Sequence, residues 1–66
     1  MDQKVLRQIH RYVKKLGYPT HEILNVDEDT DYRAYVAVWP APNHCETLTV
    51  YMEQPIHGVT IVSHIM

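Results

Sequence analysis

At 66 residues the chain has room for one small domain, and a domain this size buries only about 60% of the surface its unfolded chain exposes. A composition of 45% hydrophobic and 21% charged residues excludes a disordered chain, and no apolar run approaches the roughly 20 residues of a membrane span. A single cysteine, Cys45, excludes an internal disulfide, so the support that small scaffolds need is expected from a second subunit, or failing that a metal.

The net charge of −2 hides an asymmetry, because five of the six Lys and Arg residues lie between Lys4 and Lys15 while seven of the eight acids follow position 20. The N-terminus, Met1-Asp2-Gln3-Lys4, has none of the apolar stretch of a secretory signal, and one unpaired thiol suits a reducing compartment. A cytoplasmic location is the expectation.

Residues 3–16 carry the strongest periodicity. Val5, Leu6, Ile9, Tyr12, Val13 and Leu16 recur at three- and four-residue spacing and fill a helical arc about 120° wide. Lys4, Arg7, Arg11, Lys14 and Lys15 take the opposite arc, with Gln3, Gln8 and His10 at the borders. Asp2 suits the N-cap, Gly17 the position after the C-cap, and Pro19 blocks continuation. Lys14 and Lys15 also suit the negative end of the helix dipole.

Residues 19–26 form a weaker strand candidate, short or irregular, with Ile23, Leu24 and Val26 as its apolar content. The acids of Asp27-Glu28-Asp29-Thr30-Asp31 alternate like the start of a calcium loop. Such a loop needs Gly at its sixth position and an acid at its twelfth, and here those positions hold Tyr32 and Val38. A polar hairpin loop is expected instead.

From Tyr32 to Trp39 and from Thr47 to Glu53 apolar and polar residues alternate, with the turn-rich Pro40–Cys45 between them. This reads as a hairpin. Setting Val36 opposite Val50 brings Val38 to Leu48 and Ala34 to Met52 on one face. The other face then pairs Tyr35 with Tyr51, Ala37 with Thr49, Trp39 with Thr47 and Arg33 with Glu53. Gln54–Gly58 reads as a further turn, and Val59–Ile65 as a β-branched strand.

These elements predict an α+β fold: a single N-terminal amphipathic helix packed on one face of a three- to four-stranded antiparallel sheet, in the order αββββ, spanning residues 1–66 as one domain. The order resembles a truncated form of the double-stranded-RNA-binding αβββα fold. No second helix and no motif of that fold is present, so the resemblance implies nothing about function.

One helix covers one sheet face. The other is expected to show Tyr35, Trp39, Tyr51, Thr47 and Thr49, with Val62. Such a face is either a half-solvated sheet surface, a contact for another protein chain, or a base-stacking platform. Tyr and Trp favour the protein contact. Arg33, faced by Glu53, is the single cation expected there, which disfavours nucleic acid. The basic helix stripe is either a solvated face or a surface for phosphates or an acidic partner.

Five histidines (His10, His21, His44, His57 and His64) are many for this length. A zinc site would need three or four converging ligands, and His21, His44 and Cys45 share one end of a meander. No CxxC or HxxxH spacing supports it. His44 and Cys45 are sequence neighbours whose side chains diverge in a strand, which also argues against a nucleophilic pair. Neither a metal, a cofactor nor catalysis is expected.

The expected function is therefore a non-enzymatic protein-binding module that self-associates as a homodimer through the face of Tyr35, Trp39, Tyr51, Thr49 and Val62, or through an exposed strand edge. Small regulators and the inhibitors of phages and mobile elements are of this kind. The alternative is nucleic-acid binding through Lys4, Arg7, Arg11, Lys14 and Lys15, which the acidic net charge disfavours.

Overall fold

The computed structural model describes residues 3–53 and 59–66. One helix, α1 (Gln3–Lys15), precedes four strands, β1 (His21–Asp27), β2 (Arg33–Ala41), β3 (His44–Glu53) and β4 (Thr60–Ile65). The strands form one antiparallel sheet in the order β1-β2-β3-β4, a simple meander. The α+β architecture read from the sequence is the one observed. The proposed Asp2 cap and the Gln54–Gly58 turn lie outside the described residues.

The helix stops where its sequence dictates. Gly17 has φ +109°, and the Gly17 amide donates to the Lys14 carbonyl (3.1 Å) while the Tyr18 amide donates to that of Val13 (3.2 Å). These are the paired hydrogen bonds of a Schellman ending, which needs a residue tolerant of positive φ at its turn. Tyr18 then packs against the core beside Val13, as the motif favours.

The core is apolar throughout. Val5, Ile9 and Val13, spaced four apart along α1, meet Ala34, Val36 and Val38 of β2 and Leu48, Val50 and Met52 of β3. Ile9, Val13, Val36, Val38, Leu48 and Val50 are fully buried, and each such side chain contributes about 1.5–3 kcal/mol over its exposed state. Leu16, read as part of the apolar arc, is instead 38% exposed where the chain turns away at the helix end.

The inward and outward sets of β2 and β3 are as read from the alternation, but their register is shifted by two residues. Val36 faces Leu48 and Ala34 faces Val50, while Val38 faces Glu46. The hairpin is tighter than the Pro40–Cys45 loop expected. The strands run on to Ala41 and from His44, which pair across Pro42-Asn43. A bulge interrupts the ladder between Val38 and Ala41, where Pro40 has no N–H to give. An even shift keeps every side chain on its face, so hydrophobicity does not oppose it.

Both edge strands also carry bulges. Leu24 is the extra residue of β1, and Val62 that of β4. Such irregularities discourage edge-to-edge pairing. The β1–β2 loop is polar, as expected, with the Asp27 carboxylate accepting the amides of Asp29 (3.0 Å) and Thr30 (2.9 Å).

Candidate functional site

The sheet face opposite α1 is covered by no other described element. Its pairing places side chains in rows across the strands. One row runs Asn25, Tyr35, Thr49, Ile65, and the next runs Asp27, Arg33, Tyr51, Ser63. Tyr35, Thr49 and Tyr51 are half-buried, while Ile65 is 58% exposed. Between Tyr35 and Trp39 on β2 lies Ala37, only 7% exposed, so neighbouring side chains already shield the middle of this face.

Arg33 does not meet Glu53, because the two-residue shift brings Tyr51 opposite it. The guanidinium lies over the Tyr51 ring at 5.2 Å from the centroid, within the range of a cation–π contact. A hydrogen bond to Tyr35 raises the pKa of the Arg33 guanidinium further, with Asp31 adding a smaller effect. One cation thus ties together two aromatic residues from adjacent rows. Trp39 stands at the other end, beside an open pocket of about 440 Å³ that it lines with Thr20, Pro40, Ala41 and Pro42. Val62 is 50% exposed, but as the bulge residue it has no partner on β3 that would place it in these rows.

Lys4, Arg7, Arg11, Lys14 and Lys15 are all exposed on α1. Arg11 and Lys15 border a shallow groove of about 260 Å³ that Tyr12 and Ile61 help to line. The two candidate surfaces therefore point away from opposite sides of one core.

The histidines are placed differently from the sequence reading. His21 meets neither His44 nor Cys45. Its Nδ1 lies 2.7 Å from the Tyr18 carbonyl, and its Nε2 lies 2.8 Å from His10 Nδ1 on the helix. His44 instead faces Glu46 at 3.3 Å, and Cys45 is exposed. Among the described residues no three His, Cys, Asp or Glu side chains converge as metal ligands.

On the other side of the helix, the Tyr12 hydroxyl lies 2.7 Å from His64 Nδ1, the rings meeting edge-on at 5.5 Å. The helix is thus linked to both edge strands by polar contacts, while its apolar stripe rests on the two central ones. Sequence reasoning missed these contacts. Their signal was present: His10 and Tyr12 flank the apolar stripe on its two sides, where side chains reach a sheet's margins.

Comparison with protein-family models, curated proteins and solved structures finds no match to this chain. Among the described residues no helix is long and apolar enough to cross a membrane.

Proposed function

We propose that the chain is a non-enzymatic protein-binding module of the regulator or inhibitor kind, and that its contact surface is the open sheet face, engaged first by a second copy of itself. The observation that carries this reading is the row Tyr35–Thr49–Ile65, continued by Tyr51 and Trp39 on a face that α1 leaves uncovered. Aromatic residues supply large contact area with few rotatable bonds and are enriched at protein interfaces. Arg33, held over Tyr51, orders part of that surface before any partner arrives.

A domain this small gains most from a partner that buries apolar surface. Light scattering over a micromolar concentration series is the test. The expected outcome is a rise in mean mass towards that of a dimer, abolished by Trp39→Ala or Tyr51→Ala. A strict monomer unaffected by either substitution overturns self-association.

The exposed cation ridge supports a second reading, binding of nucleic acid through Lys4, Arg7, Arg11, Lys14 and Lys15. It requires binding at about 50 mM salt, where phosphate contacts are strongest, and a salt slope that falls when two of the five become Ala.

A further inference from the structure

We propose that His10 and His21 form a two-histidine site for a late first-row divalent metal ion, with Cu(II) bound most tightly and water filling the remaining positions. The two ring nitrogens lie 2.8 Å apart across the junction of α1 and β1. That separation is a ring-to-ring hydrogen bond, which brings the two imidazoles together without choosing a coordination geometry. The affinity order for nitrogen ligands places Cu(II) first.

The second observation is the orientation of His21. Its Nδ1–H donates to the Tyr18 carbonyl at 2.7 Å, which leaves the Nε2 lone pair facing His10. A backbone carbonyl on the far nitrogen is the usual support of a metal-bound histidine, because it fixes both tautomer and ring orientation. Tyr18 is itself held by the helix ending, where its amide bonds to the Val13 carbonyl. One ligand is thus set in place before an ion arrives.

In the metal-free pair the hydrogen between the rings belongs to His10 Nδ1, since His21 Nε2 can only accept. Binding moves that hydrogen to His10 Nε2, on the far side of the ring, with no net proton released from the neutral pair. The rings, with centroids 5.0 Å apart, now point almost at each other, so one must swing for both lone pairs to converge on an ion. His10 is exposed on the helix and supplies that movement. The pair borders an open pocket of about 380 Å³, which leaves room for water ligands. Glu22 lines the same pocket, but its pairing with Ala37 puts it on the other sheet face, so the site has two protein ligands.

The test is titration of the untagged full chain carrying Cys45→Ser, which removes the exposed thiol that would bind and reduce copper, with Cu(II) alone in a non-chelating buffer, followed by calorimetry and by imidazole proton NMR. The expected result is one ion per chain, with the His10 and His21 resonances broadened first. Removing an outer-shell partner of a metal ligand typically weakens binding 10- to 100-fold, so loss of a direct ligand in His10→Gln or His21→Gln is expected to weaken it at least tenfold. His44→Gln and His64→Gln should bind as the parent does. His21→Gln also loses the bond to Tyr18, so exposed His10 is the decisive position. Parent-like affinity in a folded His10→Gln protein overturns the site, as does first broadening at His44 or His64.

Discussion

At the scale of single residues, two positions have roles set by the backbone. Gly17 sits at φ +109°, and a Cβ added there would meet nothing within 4 Å. The cost of Gly17→Ala is then purely conformational, about 1–2 kcal/mol for a left-handed L-residue. A urea denaturation series should show the midpoint falling with the slope unchanged. Asp27 is the second. Amide hydrogen bonds from Thr30 and then Asp29 stabilise its charged form and lower its pKa. Because the folded pKa lies below the unfolded one, this stabilisation is present above the ordinary carboxylate range and is lost as pH falls through the folded pKa. Asp27→Ala should therefore melt below the parent at neutral pH, and the gap between their melting temperatures should close in strong acid. A gap independent of pH would mean that the charge of Asp27 contributes nothing.

At the scale of elements, what could be read from the sequence follows from how strongly each feature is over-determined. The helix has a periodic stripe, a cationic back, Gly17 and Pro19, all giving the same answer, and its end was placed to within a residue. The faces of β2 and β3 were equally legible, since Ala34, Val36, Val38, Leu48, Val50 and Met52 have only one apolar place to go. Register was not legible. A two-residue shift leaves every face unchanged, and the deciding features were a bulge at Pro40 and a two-residue turn at Pro42-Asn43, both local backbone geometry. The pairing of Tyr35 with Thr49, and of Arg33 with Tyr51, was lost to sequence reasoning for the same reason.

The positions of His10 and Tyr12 beside the stripe were legible, but their partners were not, because the contacts join residues 11 and 52 positions apart through the helix's placement over the sheet. That placement is set by the apolar stripe, which yields a comparison of magnitudes. Ile9 is fully buried, and Ile9→Ala is expected to cost about 2–5 kcal/mol. Tyr12→Phe removes only a hydroxyl shared with His64, at about 0.5–1.5 kcal/mol. Chemical denaturation of both variants checks the order. A larger loss from Tyr12→Phe would mean that the polar link to β4, not the core, seats the helix.

At the scale of the whole molecule, charge separates the two proposed surfaces and gives each a different response to salt. The five helix cations lie on the side of α1 away from the sheet, while the open sheet face has Glu22, Asp27 and Glu53 among its polar residues and Arg33 engaged with Tyr51. Two copies meeting through these faces would bury the aromatic rows, set two faces of the same net negative charge against each other, and keep both cationic ridges outermost. Salt screens such repulsion, with a Debye length of about 10 Å at 0.1 M, and so would strengthen the proposed dimer. Binding of a polyanion to the helix ridge has the opposite sign, because salt competes for the phosphates. The proposed self-association would link folding to assembly, so the melting temperature should rise with protein concentration, and rise more steeply as salt increases from about 0.05 to 0.5 M. Trp39→Ala should flatten the concentration dependence without altering the core. A melting temperature indifferent to concentration at every salt level removes the second copy as occupant of the sheet face, and persistent binding to a polyanion that weakens with salt would transfer the function to the helix.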